Sequence, residues 1–219
     1  MIVINKFGKM IHGVPILEDI NLELSGGKVY GLQGKNGSGK TMLLRALSGL
    51  IRATSGYVEI DGKRLGRDMT FPESIGVLIE NPAFVPYYSG YKNLKILADI
   101  QNKIGKDEIF NIMEKVGLNP DEKKSFRKYS LGMKQRLGIA CAFMESPDII
   151  LLDEPINALD QGGIQLVREL LNDARKRKAV IVTACHDKEE LELIADEIYL
   201  MEGGRVTGHR MTKEKEQDE

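Results

Sequence analysis

Hydrophobic and polar residues alternate along this chain with two periods, one typical of strands and one typical of helices. In the first third, short apolar or alternating stretches are bounded by turn residues, which predicts a β-rich beginning. The predicted strands of this region are residues 1–5, 16–24 and 28–33. The stretch GYVEIDGKRL predicts a hairpin with Asp61 and Gly62 at its turn.

The last part of the chain alternates short apolar stretches with amphipathic ones. The predicted elements are a strand at 149–152, a helix at about 162–177, a strand at 179–184, a helix near 187–195 and a strand at 197–201. An earlier apolar stretch, IGVLI at 75–79, predicts one more buried strand. Strands that alternate with helices favour a mainly parallel sheet covered on both faces, so the fold class is α/β.

The middle of the chain has a different character. Between about 90 and 146, apolar residues recur at helical spacing. The stretches with this pattern are NLKILADIQNKI, DEIFNIMEKVGL and GMKQRLGIACAFME. They predict a helical subdomain inserted at about 85–145 between strands of the sheet.

Charge and composition narrow the class of partners. The chain has 31 Lys and Arg against 32 Asp and Glu, so it lacks the strongly basic surface typical of nucleic-acid binding, and we expect no nucleic-acid partner. No apolar run approaches the roughly 20 residues that span a bilayer.

Cys141 and Cys185 lie outside any metal-binding spacing and are interpreted as buried small hydrophobes. Residues 209–219 predict a charged, disordered tail.

A glycine-rich segment between a predicted strand and a predicted helix carries the clearest chemistry. GKNGSGKT matches the phosphate-loop pattern in full, and its members are Gly34, Lys35, Asn36, Gly37, Ser38, Gly39, Lys40 and Thr41. Backbone N–H groups of such a loop surround phosphate oxygens, and the helix dipole favours the negative charge. Lys40 is expected to reach the β- and γ-phosphates of ATP, and Thr41 to place its hydroxyl on Mg²⁺.

The stretch DIILLDEP ends a buried strand in two acids. We expect Asp153 to hold Mg²⁺ through water at the carboxyl edge of the sheet, and Glu154 to polarise the attacking water. Pro155 ends the ladder and sets the exit from the strand.

The segment YSLGMKQRLGIA at 129–140 places a serine and a glycine at a predicted helix N-terminus shortly before that strand. With this third element, residues 1–208 resemble the nucleotide-binding subunit of ATP-binding cassette (ABC) transporters. The resemblance implies a P-loop NTPase core of the RecA type with an N-terminal antiparallel β subdomain. It also implies a homodimer with ATP at the interface, where Ser130 and Gly132 contact the ATP bound by the other copy. The family usually has two glycines after the serine; here the first of them is replaced by Leu131, and the glutamine that follows them by Met133.

The same resemblance assigns roles to three more positions. Asp160, in NALD, corresponds to a residue that crosses the dimer interface, and His186 corresponds to the histidine that contacts the γ-phosphate and steadies the glutamate. The aromatic residue that stacks on adenine in the family has no direct counterpart. Ile11 occupies its position, and either Ile11 packs against the base or Phe7 reaches it through a longer loop.

The strand IGVLIENP ends in Glu80, where most family members have a glutamine that touches Mg²⁺, the attacking water and the membrane partner. A carboxylate can still bind Mg²⁺, but it adds negative charge beside the triphosphate, so nucleotide binding is expected to depend more strongly on the metal. Glu80, IENPAF and SLGMKQRLGIA together resemble the ATPases of bacitracin-export and lantibiotic-immunity transporters.

That resemblance implies an ATP-hydrolysing motor subunit that works with a separate transmembrane permease. Such a subunit would be cytoplasmic and would lie on the inner face of the cell membrane through the permease. Two alternatives remain open from the sequence. One is an ABC ATPase without a transport role, and the other is an ATP-dependent interaction module without efficient turnover.

Overall fold

Ten strands and six α-helices lie in the part of the chain that the structure, a computed structural model, describes, which is residues 1–80 and 82–212. The strands form two sheets. The first sheet is antiparallel and has the order β2-β1-β4-β5. Its members are β1 (Ile2–Ile11), β2 (Val14–Leu24), β4 (Ser55–Ile60) and β5 (Lys63–Arg64). The predicted hairpin is confirmed, because β4 pairs with β5 across Asp61 and Gly62.

The second sheet carries the site. Its order is β10-β9-β3-β8-β7-β6, and all neighbouring pairs are parallel except β10 with β9. Its members are β3 (Lys28–Gln33), β6 (Ile75–Leu78), β7 (Ile149–Asp153), β8 (Val180–Cys185), β9 (Glu197–Glu202) and β10 (Arg205–Met211). Every residue of β7 and β8 is buried, as their continuous apolar sequences predict for parallel strands covered on both faces. The predicted α/β fold with a mainly parallel sheet is confirmed.

The helices begin mostly at polar residues that cap them. They are α1 (Lys40–Leu47), α2 (Gly90–Gln101), α3 (Lys106–Lys115), α4 (Leu131–Phe143), α5 (Gln161–Lys176) and α6 (Lys188–Ile194). A 3₁₀ turn lies at Phe126–Lys128. Ser89, Ser130, Asp160 and Asp187 each accept a backbone N–H at the start of a helix. Helices α2, α3 and α4 form the helical subdomain, inserted between β6 and β7.

Two hydrophobic cores cover the two faces of the second sheet. One joins the helical subdomain and α5 to the sheet, through residues such as Leu94, Leu137 and Val167. The other joins α1 and the antiparallel sheet to the opposite face, through residues such as Leu43 and Ile20. The carboxyl ends of β3, β7 and β8 are thereby fixed next to one another.

Two predicted boundaries need correction. Strand β1 runs on to Ile11, well past residue 5, because the register shifts at several bulges let it follow β2 and β4 through the polar residues near Lys6. Strand β10 was not predicted from the sequence. It extends to Met211, so the predicted tail, which begins at residue 209, starts too early. The rest of the predicted tail, residues 213–219, lies outside the described residues.

Candidate active site

The phosphate loop connects β3 to α1, and two of its glycines, Gly34 and Gly39, leave no room for a side chain. A Cβ on Gly34 would lie 2.4 Å from the carbonyl oxygen of Met201. Gly39 has a φ of 104° and precedes α1 without a side-chain cap. The first N–H groups of α1 thus have no capping side chain, and an anion can bind there.

Lys40 and Ser38 are buried polar side chains of this loop. The Lys40 ammonium donates hydrogen bonds to the carbonyl oxygens of Gly34, at 2.5 Å, and Lys35, at 3.3 Å. Ser38 Oγ is buried and has no hydrogen-bond partner among the described residues. A buried ammonium held by carbonyls alone, with an unpaired hydroxyl beside it, is a set of donors suited to phosphate oxygens.

Thr41 and Asp153 join the phosphate loop to the end of β7. Thr41 Oγ1 donates a hydrogen bond of 2.6 Å to Asp153 Oδ2. Burial raises the pKa of Asp153, and the hydrogen bond from Thr41 opposes that rise. The two predicted oxygen ligands of a hard cation are therefore in contact.

Glu154 and His186 meet at the ends of the neighbouring strands β7 and β8. Glu154 donates its N–H to the carbonyl of Ala184, and its Oε1 accepts the N–H of His186 at 3.0 Å. The ring Nδ1 of His186 lies 2.9 Å from the same oxygen. This hydrogen bond to the carboxylate raises the pKa of His186. The other oxygen, Glu154 Oε2, is buried and has no partner among the described residues, so the carboxylate can accept a further hydrogen.

Cys185 lies beside this pair. Potential ligand atoms of Glu154, Cys185 and His186 lie within 4.8 Å of one another. Burial raises the pKa of the Cys185 thiol, which favours the protonated form, whereas a metal binds the thiolate. Glu154 and His186 are also already hydrogen-bonded to each other, so we do not assign the cluster as a metal centre.

Glu80 follows β6 in a left-handed backbone conformation, with a φ of 62°. Its carboxylate lies 2.6 Å from the guanidinium of Arg45, on α1. The negative charge of Glu80 contributes to the raised pKa of Asp153, although burial is the main cause. Glu80 therefore acts electrostatically on the end of β7, and a cation from the helix that follows the phosphate loop holds it.

Ser130 and Gly132 lie at the start of α4 and line a separate cavity of about 430 Å³. Ser130 Oγ accepts the N–H of Met133 as the helix cap. Asp160 lines the same cavity, and no residue of the phosphate loop does. Within one chain the structure thus keeps these three residues apart from the phosphate-loop group.

The two candidates for the adenine contact differ sharply in exposure. Phe7 is 2% exposed and belongs to the core beneath the antiparallel sheet, so the alternative in which it reaches the base is wrong. Ile11 is 38% exposed at the end of β1.

Comparison with known proteins decides the family. A family model described as "ABC transporter" matches residues 17–157. The chain belongs to the ABC transporter ATP-binding family. Its relatives are named as ATP-binding proteins, so the chain is an ATP-binding subunit of this family.

Relatives of known sequence are ATP-binding proteins of the same family. The chain is 44% identical to the uncharacterized ABC transporter ATP-binding protein YybJ of Bacillus subtilis, over 94% of each chain. It is 39% identical to the bacitracin transport ATP-binding protein BcrA of Enterococcus faecalis, over 87% of this chain and 63% of that one. It is 36% identical to the lantibiotic transport ATP-binding protein SrtF of Streptococcus pyogenes, over 87% of this chain and 82% of that one.

Solved structures confirm the ABC cassette fold. An ATP-binding subunit of an ABC transporter superposes with a TM-score of 0.86, at 23% identity, over 96% of this chain and 89% of that one. A dimeric ATP-binding cassette in a post-hydrolysis state with ADP and Pi superposes with a TM-score of 0.84, at 21% identity, over 97% and 99%. Among the described residues of this ABC subunit, no helix is long and apolar enough to cross a membrane.

Some residues that shape the site of this ABC subunit were not singled out from the sequence. Arg45 contacts Glu80, and Gln135 donates hydrogen bonds to the carbonyls of Glu154 and Pro155. Neither has a local signal, because an arginine or a glutamine on a helix is ordinarily a solvated residue. Their partners lie 35 and 19 residues away, and tertiary structure alone brings them together.

Proposed function

We propose that this chain is the ATP-hydrolysing motor subunit of an ABC exporter for antimicrobial peptides, acting with a separate membrane permease. The carrying observation is the Glu154–His186 pair, which lies at the carboxyl edge of the sheet next to Asp153 and the phosphate loop. Relatives named for bacitracin and lantibiotic transport support the substrate class. Because the chain spans 63% of the length of BcrA, activities of that whole protein are carried over as part of the proposal.

The residues present fit Mg²⁺ with ATP. Thr41 Oγ1 and Asp153 Oδ2 are oxygen donors in contact, and the nearby carboxylate of Glu80 adds negative charge. When bound, Mg²⁺ would offset charge on the β- and γ-phosphates. Thr41, Asp153 and Glu80 would hold the ion, directly or through water. The loop amides from Gly34 to Gly39 would surround the phosphates, and Lys40 would turn from its carbonyl partners to a phosphate oxygen.

Hydrolysis would use Glu154 as the base. Its Oε2, the oxygen that His186 does not contact, would accept a proton from the attacking water. His186 holds the other oxygen through its backbone N–H and its ring. That double contact fixes the carboxylate, and the other ring nitrogen of His186, Nε2, would meet the γ-phosphate.

A second copy would complete each ATP site. Ser130 and Gly132 present a helix N-terminus to a cavity that contains no phosphate-loop residue, so they would contact ATP from the other copy in a head-to-tail homodimer. Asp160 would cross the same interface, and Ile11 would pack against adenine. The dimer would lie on the inner face of the cell membrane, held there by the permease.

Trapping the dimer tests this mechanism. In Glu154→Gln, ATP should bind without turnover, and the chain should elute at twice its monomer mass on gel filtration with ATP and at monomer mass without it. Glu154→Gln combined with Lys40→Ala is the matched control and should stay monomeric. A Glu154→Gln chain that stays monomeric with saturating ATP would contradict the shared-site mechanism.

The transport role needs its own test. Co-expression with a co-encoded multi-helix membrane protein should allow the two to be purified together in detergent. It should also raise the bacitracin or lantibiotic concentration that stops growth, and Glu154→Gln should remove that gain. Phosphate release without co-purification would favour an ABC ATPase outside transport, and absence of phosphate release would favour an interaction module.

A further inference from the structure

The segment from Glu154 to Asp160, which we call the catalytic loop, is held at both ends by adjacent residues of α4. Gln135 Nε2 donates to the carbonyl oxygens of Glu154, at 2.9 Å, and Pro155, at 3.0 Å. Arg136 Nη2 donates to Asp160 Oδ1 at 2.8 Å. One turn of one helix thus fixes where the loop leaves β7 and where it enters α5.

The loop needs such support because its backbone is strained. Glu154 and Ala158 have φ angles of 49° and 63°, which cost free energy for residues other than glycine. Inside the loop, the hydrogen bonds are few and long, such as Asn157 N–H to the Glu154 carbonyl at 3.2 Å. The amide of Gln135 thus donates to the two consecutive carbonyls that flank Pro155. It therefore stabilises the backbone conformation that aims the Glu154 carboxylate at His186.

Arg136 contacts the Asp160 end of the catalytic loop and uses both of its terminal nitrogens as donors. Its Nη1 donates to the carbonyl of Val116 at 2.9 Å while its Nη2 reaches Asp160. A Cβ on Gly117 would lie 2.3 Å from that Nη1, so the glycine leaves room for the guanidinium. The pKa of Asp160 is lowered, chiefly by the N–H of Gly163 at the start of α5 and further by Arg136. In this chain the Asp160 carboxylate thus contacts both α4 and the start of α5.

The end of α4 that makes these contacts is also the end that begins at Ser130. Ser130, Gly132, Arg136 and Asp160 line the same cavity of about 430 Å³. Ser130 caps α4, and Gln135 lies five residues further along the same continuous helix.

We propose that Gln135 is a positioning residue for Glu154, acting through its hydrogen bonds to the carbonyls of Glu154 and Pro155. This inference rests on the proposed function, in which Ser130 contacts nucleotide and Glu154 activates water. It assigns to α4 a role in the chain's own hydrolytic site as well as in the site of the partner copy.

Gln135→Met removes the donor while keeping the length of the side chain. We expect kcat for ATP hydrolysis to fall roughly tenfold, the loss of about two neutral hydrogen bonds, while KM for ATP stays within about twofold. Gln165→Leu is the matched control, because Gln165 is an exposed residue that donates to Glu169 on its own helix, and kcat should stay at the wild-type value. Gln135→Asn is a second variant of the same residue. It shortens the reach of the amide, and it should also lower kcat.

A double-mutant cycle separates positioning from a general structural effect. If Gln135 acts through Glu154, adding Gln135→Met to Glu154→Ala should cause no further loss of the residual hydrolysis rate. A full additional loss, or an unchanged kcat in folded Gln135→Met, overturns the inference. Wild-type protein without ATPase activity would instead contradict the proposed function, so the two failures are distinguishable.

Discussion

The guanidinium of Arg45, on the helix that follows the phosphate loop, lies 2.6 Å from the carboxylate of Glu80 at the end of β6. The side chains are 34% and 60% exposed, so this pair contributes little to the free energy of unfolding, roughly 0–1 kcal/mol. Its effect is on charge at the site. Glu80 places a negative group near Asp153 and the phosphate loop, and Arg45 offsets part of that charge.

Glu80→Gln should make ATP binding depend less on Mg²⁺. Removing one negative charge close to the triphosphate is worth about 1 kcal/mol at a partly exposed site, which corresponds to roughly fivefold tighter binding of metal-free ATP. The measurement is the Kd for ATP with Mg²⁺ and with excess chelator. Arg45→Gln should act in the opposite direction and weaken metal-free binding. An unchanged Mg²⁺ dependence in Glu80→Gln would disprove this interpretation.

Thr41→Val should lower both stability and activity. The change keeps the shape of the side chain but leaves the buried Asp153 carboxylate without the donor that lies 2.6 Å away. An unsatisfied buried acceptor costs about 1–3 kcal/mol of unfolding free energy, and urea denaturation measures it. ATP hydrolysis should fall about 100-fold or more because a proposed Mg²⁺ ligand is lost. Thr41→Ser keeps the hydroxyl and should retain the unfolding free energy and the ATP hydrolysis rate of the wild type. If Thr41→Ser lost as much of both as Thr41→Val, the role of the hydroxyl would be contradicted.

His186 should make stability depend on pH. Its hydrogen bond to Glu154 raises its pKa, so the folded state binds the proton more tightly than the unfolded state. The resulting stabilisation is fully present below the unfolded pKa of about 6.5 and is lost as pH rises through the higher folded pKa. The side chain is 55% exposed, so the effect should be small.

The measurement is the difference in Tm between wild type and His186→Ala across about pH 5 to 8. The difference should be largest at the acidic end and shrink as pH rises. A Tm difference for His186→Ala that grows with pH would contradict the assigned direction of the pKa shift.

The parts of the fold that the sequence predicted are those whose signal is local. Buried runs such as 149–152 and 179–184 identify parallel strands because both faces must be apolar. The phosphate loop is equally local, since its geometry follows from glycines at fixed spacing. Strand β10 was missed because its residues are exposed or half-buried throughout, so no apolar alternation reveals it. Its pairing with β9 across Gly203 and Gly204 is visible only in the structure.

The site was predictable only as far as single residues carry recognisable chemistry. Lys40, Thr41, Asp153 and Glu154 follow strands or open a helix, and that position identifies them. The side chains that hold them in place follow no such rule. Gln135 bonds to two carbonyls, and any residue type offers a carbonyl, so no sequence pattern identifies its partners.

Gly76→Ala tests how β6, the strand that presents Glu80, is seated on α4. An added Cβ would lie 1.8 Å from the carbonyl oxygen of Ala142 and 2.8 Å from Pro147 Cγ. The strand and helix must separate to admit it, and overpacking of this kind costs about 1–3 kcal/mol or more of unfolding free energy. Gly162→Ala is the matched control, because no atom lies within 4 Å of its added Cβ and it sits in α5, where alanine stabilises by up to about 1 kcal/mol. Urea unfolding of both variants measures the contrast, and a Gly76→Ala chain as stable as wild type would mean that β6 and α4 are not in this close contact.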